Sequence, residues 1–388
     1  MRPLPILLLF FLCLQGVSCS QVPDNEIRTV VVGLAHVCDD RFEYFNETLT
    51  LNARLALARH GSNGVIKTRN GNVQIQFLTM PMARTKESPR QALFETVNNY
   101  EARFVIGNAC SLTAASMAEA AEELHIPFLV PVATVPSVTE GKRLSFPTSP
   151  SMNARALAYA SFLDHHLKAR RIAVLAKRDA LSGTAFFDIL TRYFADAEGV
   201  RVSMHTFHSE SDLPQALAAL MEERPDAVVF CPVEPHIFDV GRQLEALGYH
   251  NPLLGAQSGQ AHEYAAHLPQ PDMPVYCFSY WNPEAPGAER SGYMEAFTAI
   301  TGKEPGEDDV YVYDTTLRLI QAVKEAGTLS PQSFQRTLAS RPDLPGAAGH
   351  YRFNSEPVLS PLWLLSLNNG TLAAEEFRQH APDRAAAP

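Results

Sequence analysis

Taken as a whole, the sequence has no excess of positive charge. Lys and Arg number 32 against 42 Asp and Glu, a formal net charge of −10 at pH 7, and the sequence pI is about 5.7. Phosphate binding needs a basic face that no segment here supplies, which excludes nucleic acid as a partner. A membrane-spanning run is missing too: the apolar stretch at the N-terminus covers about nine residues, against the ~20 that a bilayer requires. No G-x-S-x-G elbow, Walker loop or dinucleotide glycine fingerprint is present. His165-His166 and His205/His208 lack the carboxylate or cysteine spacing of a metal site, so no metal and no cofactor is implied. Neither a short tandem repeat nor a low-complexity linker interrupts the chain; only residues 379–388, ending in APDRAAAP, read as a disordered tail.

With 388 residues, 46% of them hydrophobic, the chain is too long for one ordinary domain, and two are expected. It opens with MRPLPILLLFFLCLQGVSCSQ, one positive charge, an apolar run and then small residues, which is the layout of a secretory signal over residues 1–20. GVSC resembles a lipobox with Gly16 where Leu is usual, so Cys19 is either lipidated at the mature N-terminus or incidental to ordinary cleavage nearby. Export implies an oxidising compartment, where Cys38, Cys110, Cys231 and Cys277 can pair. Four cysteines allow three connectivities; placing two in each domain selects Cys38–Cys110 and Cys231–Cys277 for testing.

Beyond the signal, strand-like and helix-like segments alternate through short joints. RTVVVGLA is a continuous apolar run, NVQIQFLTM alternates with period two, and SPRQALFETVNNYEA starts a helix with Pro89 in its first turn. A second series follows SFPTSPS: RIAVLAK, VRVSMHTF, DAVVFC, PLLGAQ and PVYCFS as strands with helices between them. Two such series predict two α/β lobes, each a parallel sheet flanked by helices, with ligand sites at the carboxyl ends of the strands. The chain's last part, GHYRFNSEPVLSPLWLLSLNNG, reads as a β hairpin.

GNACSLT joins strand RFVIG to helix LTAASMAEAAEELH. Asn108 and Ser111 therefore fall where the first amides of a helix have no internal partner and favour an anion. Taken alone, Ser111 is read as a helix cap.

Several segments in order carry a family resemblance: FVIGNACSLTAASMAEAAEELHIPFLVPVATVPSVTE, RIAVLAKRDALSGTAF, ERPDAVVF, VYDTTLRLIQAV and LPGAAGHYRFN. From about Val30 to Thr371 the chain resembles the type I periplasmic solute-binding proteins, specifically the leucine/isoleucine/valine-binding group of ABC transporters. The resemblance implies a two-lobed fold with three crossover segments, one lobe holding residues 27–148 plus 282–342 and the other 152–280 plus 346–372. It implies a monomer that closes on a small polar ligand, an amino acid or an amide- or carboxylate-like compound, and hands it to an ABC permease in the periplasm. Ser111 aligns with the family's carboxylate-binding serine, and Ala133 and Thr134 with its companion Ala-Thr pair, which turns the reading of Ser111 from cap to ligand contact. Gln257 stands where the family places the acid that takes the ligand's ammonium, and Ser182 where its cleft tyrosine precedes Gly183. Glu234, Asp39 and Asp40 are alternative acceptors or plain loop acids, and Tyr280 and Trp281 either cover an apolar ligand or fill the hinge. Two other functions stay open: an extracytoplasmic sensor read by a membrane receptor kinase, and an amidase using Cys110 as nucleophile.

Overall fold

A computed structural model describes residues 27–133, 135–231, 237–255, 272–326, 330–340, 344–351, 362–368 and 371–378. Thr134, Glu234, Gln257, residues 1–26 with Cys19, and residues 379–388 lie outside these residues.

The apolar run RTVVVGLA falls in β1 (Ile27–Val37), buried on both faces from Val32 to Ala35 as a central strand of a parallel sheet must be. It pairs in parallel with β3 (Gly71–Met82) on one side and β4 (Phe104–Ile106) on the other. With β2 (Val65–Thr68), β5 (Phe128–Val130) and β6 (Ser145–Pro147) the first sheet has the order β2-β3-β1-β4-β5-β6, only β2 running antiparallel. Val30, Val32 and Leu34 pack with Leu49 and Ala53 of α1 (Glu43–His60) on one face. Ala35, Val37 and Val105 pack on the other with Leu93 of α2 (Ser88–Tyr100) and Met117 of α3 (Ser111–Leu124). A single turn, α4 (Pro136–Thr139), follows β5.

The second lobe begins with α5 (Met152–Ser161), capped by Ser151, whose side chain accepts from the amide of Ala154. Then come β7 (Arg171–Lys177), α6 (Leu181–Tyr193), β8 (Arg201–Phe207), α7 (Leu213–Glu222), β9 (Ala227–Cys231), α8 (Ile237–Ala246), β10 (Leu253–Gly255) and β11 (Val275–Ser279). The chain next forms α9 (Ala288–Thr301), α10 (Glu307–Ala326) and α11 (Pro331–Ser340), and α10 lies along α1 of the first lobe. Two short antiparallel strands, β12 (Leu344–Pro345) and β13 (His350–Tyr351), precede β14 (Leu362–Asn368) and β15 (Thr371–Phe377). The second sheet is ordered β15-β14-β11-β10-β9-β7-β8, with β14 and β15 antiparallel.

Two expectations are corrected. The terminal hairpin is β14–β15, closed between Asn368 and Thr371, so it extends past Thr371 to Phe377. Its second strand, TLAAEEF, was hidden because it lacks period-two alternation: residues 373–376 are all exposed on the edge of the sheet, where charges such as Glu375 and Glu376 protect an open strand. The four cysteines are free thiols. β10 lies between β9 and β11, so Cys231 and Cys277 are two strand spacings apart, about 9.6 Å at Cα and beyond the ~7 Å reach of a disulfide. Cys38 is exposed and Cys110 is buried in the core cluster, and both are free.

All three passages between the lobes are fastened to α10. Thr148, after β6, is hydrogen-bonded to Thr315. The amide of Tyr280, after β11, donates to Glu307 at 2.9 Å. The amides of Ala347 and Ala348, after β12, donate to the Asp314 carboxylate at 2.6 and 2.9 Å. Asp314 comes so close that a Cβ on Gly346 would meet its carboxylate oxygen at 2.5 Å, which is why a residue without a side chain stands there.

Candidate functional site

The carboxyl ends of β1, β3, β4 and β5 in the first lobe and of β7 and β9 to β11 in the second form the rims on which ligands of open parallel sheets bind. On the first rim the decisive turn is the GNACSLT loop. Gly107 continues β4 with its amide donating to Leu129 O at 2.9 Å. Asn108 is fully buried, and its Oδ1 accepts from the Cys110 amide and from Thr113 Oγ1, both at 3.1 Å. Its Nδ2 lies 3.8 Å from Met82 Sδ. Asn108 is therefore the brace of the loop, tying it to the end of β3, and is not free to face a ligand.

That brace leaves the helix start uncapped. Cys110 is the N-cap of α3 and supplies no side-chain bond to it; the first intrahelical bond runs from Ala114 N to Cys110 O at 2.8 Å. Among the described residues the amides of Ser111, Leu112 and Thr113 have no partner, and neither has the half-buried Ser111 Oγ. The capping role is thus not what Ser111 performs. Three unpaired N–H groups and a hydroxyl at the positive end of a 14-residue helix make a seat for a carboxylate. Ala133, after β5, is buried at 3% exposure, with no hydrogen bond of its amide among the described residues.

On the second rim, Ser182 is the half-buried second residue of α6, whose N-cap Ala180 also provides no side-chain bond. Gly183 presses against β7 so closely that a Cβ would meet Ala176 Cβ at 2.5 Å. α6 and α3 approach each other within 8 Å at Cα, which brings helices from opposite lobes together.

The loop acids behave differently from one another. Asp39 pairs with Arg41, its Oδ1 accepting from Nε at 2.7 Å, and that bond, with Arg84 farther off, holds its carboxyl below the usual range despite partial burial. Its charge is spent within its own turn. Asp40 is exposed. Trp281 is 1% exposed, donates Nε1–H to Pro305 O at 2.9 Å and has the Arg290 guanidinium 5.2 Å from its ring. It fills the hinge, and Tyr280, 6% exposed under Arg155, does the same.

A sequence profile described as periplasmic binding protein matches residues 30–371. The chain belongs to that family. Solved structures agree on the fold of this periplasmic binding protein. A leucine-binding protein, LivK, from Thermotoga maritima superposes with a TM-score of 0.76 at 19% identity, covering 90% of this chain and 97% of its own. LivJ from Streptococcus pneumoniae, a branched-chain amino acid transporter substrate-binding protein in complex with isoleucine, gives 0.74 at 18% identity over 90% and 99%. A solute-binding protein of an R. palustris ABC transporter, in complex with benzoate, gives 0.74 at 18% over 90% and 96%. No match is found among curated proteins.

One group of the binding protein had no signal in the loop motifs. Arg155 of α5 reaches across to Glu307 at the start of α10, Nη2 to Oε1 at 3.3 Å and Nη1 to Oε2 at 3.4 Å, with Nη1 also donating to Phe278 O at 3.1 Å. Glu307 is 3% exposed and accepts in addition from Tyr280 N and, at 2.5 Å, from Tyr311 OH. Burial lowers the affinity of Arg155 for its proton, but Glu307, with Tyr311, Tyr159 and Tyr280 beside it, together outweigh this and the pKa is raised. The only hint in the sequence is the acidic run EDD at a helix start.

Proposed function

We propose that this chain is an exported solute-binding protein that captures a small polar ligand bearing a carboxylate, an amino acid or a related acid, between its lobes and delivers it to an ABC permease. The observation that carries the reading is the uncapped start of α3, with three amides and Ser111 Oγ unpaired among the described residues. Membership of the periplasmic binding protein family supports it. So does the chemistry shared by the ligands in two structures of the same fold, since isoleucine and benzoate both carry a carboxylate. In this reading Ala133, after β5, and Ser182, on the other lobe, are further ligand contacts, and Thr134, Glu234 and Gln257, outside the described residues, are the remaining candidates. Closure then follows from differential contact: a ligand touching both lobes favours the closed form by the bonds it makes only there. An amidase would need Cys110 as an exposed thiolate, and this thiol is 4% exposed within the core cluster.

Titration calorimetry with amino acids and aromatic carboxylates tests the proposal. Ser111→Ala is expected to weaken binding about 10- to 100-fold, the range for a hydrogen bond to a charged group. Its thermal midpoint without ligand should stay unchanged, because Ser111 Oγ makes no bond among the described residues. Undiminished affinity in this variant sinks the carboxylate assignment.

A further inference from the structure

No single segment of the chain is basic, yet the fold gathers cations at one end of the first lobe. All strands of its sheet except β2 run in parallel, so their amino ends lie together, opposite the ligand rim. Lys67 and Arg69 stand at the turn from β2 into β3, Arg28 is the second residue of β1, Arg103 immediately precedes β4, and Lys142 and Arg143 lie just before β6. The strand order β2-β3-β1-β4-β5-β6 sets them in a row across the sheet, about 24 Å from end to end at ~4.8 Å per strand. Exposed His125 occupies the corresponding joint before β5.

Bonds within the chain do not account for this row. Lys67, Arg69 and Arg103 are exposed and make no ion pair and no side-chain hydrogen bond among the described residues. Arg28 donates from Nη2 to Asn70 O at 3.3 Å, and Arg143, 79% exposed, is 3.8 Å from Glu122. Of the acids on the same joints, Glu122 accepts from the amides of Arg143 and Leu144, Glu123 pairs with Arg90 at 2.6 Å, and Glu140 accepts from Asn153 Nδ2 at 3.4 Å. Exposed Glu101 is left. In a chain whose net charge is −10, this end is a positive pole.

Two apolar side chains share the same end: Ile27, which opens β1 and is 52% exposed, and Tyr100, the last residue of α2, at 56%. Cations with a tyrosine and an aliphatic side chain among them suit a phospholipid surface, where the charges meet headgroup phosphates and the ring sits at headgroup level. We propose that the amino end of the first lobe docks on an anionic membrane surface. The course of the chain favours a bilayer over another polyanion. Cys19, the candidate for lipidation, stands eight residues before Ile27, and eight residues span at most ~29 Å even when fully extended. An acyl chain there would hold this same end at the bilayer. The contact is electrostatic and reversible, so it keeps the protein beside the membrane while the ligand rims, at the opposite ends of the strands, face the surrounding solution. The inference rests on the proposed export and not on the carboxylate seat at α3.

The test sediments the full-length protein, wild type and the triple variant Lys67→Glu, Arg69→Glu, Arg103→Glu, with vesicles of phosphatidylcholine alone or with phosphatidylglycerol added. Both proteins carry the same leader, so a difference between them reads the face. At low salt the wild type should partition at least tenfold more strongly onto the anionic vesicles, and most of that preference should vanish at high salt as the charges are screened. A cation at an anionic surface is worth about fivefold, so the triple variant should lose about 100-fold. Its unfolding midpoint and ligand affinity should stay unchanged, because the three side chains are exposed and lie away from the rims. Should the reversals disturb folding, the milder pair Lys67→Gln with Arg69→Gln should still lose about 25-fold. Equal partition of the wild type and a folded variant onto anionic vesicles overturns the proposal, as does equal binding of the wild type to neutral and anionic vesicles. Retention of the wild type on heparin without binding to either vesicle assigns the pole to another polyanion and overturns the membrane. None of these outcomes touches carboxylate capture, which the ligand titrations read separately.

Discussion

Arg155→Ala is expected to cost about 3–5 kcal/mol of stability, the range for removing one partner of a buried ion pair and stranding the other. Glu307 would keep the Tyr280 amide and Tyr311 OH but lose both guanidinium contacts in a site where it is 3% exposed. Phe278 O would lose a donor as well. Equilibrium unfolding in urea measures the loss, and a change under about 1 kcal/mol would mean that the pair behaves like a surface salt bridge. Replacing both partners together, Arg155→Met with Glu307→Gln, should recover a large part of the loss, since no uncompensated charge remains. The single variant should also change ligand affinity, because the pair joins α5 of one lobe to α10 of the other and so helps to set their resting angle.

That pair belongs to a wider arrangement. The three passages between the lobes are bonded to one helix of the first lobe through Glu307, Asp314 and Thr315. The closure proposed above would have a fixed post on one side and a moving lobe on the other, with bending left to the few residues between each anchor and the second sheet. Hinges of this kind absorb backbone rotation at a few element ends while the packed layers stay rigid.

Much of this was legible in the sequence. Parallel strands buried on both faces show as unbroken apolar runs, and β1, β7 and β9 appear in that way as RTVVVGLA, RIAVLAK and DAVVFC. The GNACSLT loop announced a helix start with small polar residues at its mouth. What the residues do there was only half legible, because Asn108 and Ser111 have the same local chemistry and only the tertiary placement of Met82 and Thr113 turns one inward. The cysteines misled for a related reason: domain membership put Cys231 near Cys277, but the strand order inserted β10 between them. Glu307 was invisible for the opposite reason: in EDD each acid looks like a helix-start charge, and what sets the first one apart is the Arg155 guanidinium that reaches it from α5.

Gly107→Ala is the other change with a large expected effect. A Cβ at this position would lie 1.9 Å from Phe128 Cε2 and 2.3 Å from its Cζ, far inside van der Waals contact. Phe128 is fully buried in β5, so its ring has no vacant rotamer to enter, and the overlap must be relieved by shifting the backbone where β4 hands over to the loop. Overpacking of this kind costs about 3 kcal/mol. The shift falls on the residues that aim the free amides of α3, so ligand affinity should drop along with the unfolding midpoint. Phe128→Leu removes the two clashing ring atoms and leaves a gap of its own, so that variant alone should also be destabilised, by about 1–3 kcal/mol. Combined in one chain, the two changes should fill each other's defect and lose clearly less than the sum of the singles, with ligand affinity partly restored. Strict additivity in the double-mutant cycle would show that the backbone yields elsewhere and that Gly107 does not hold the loop in register.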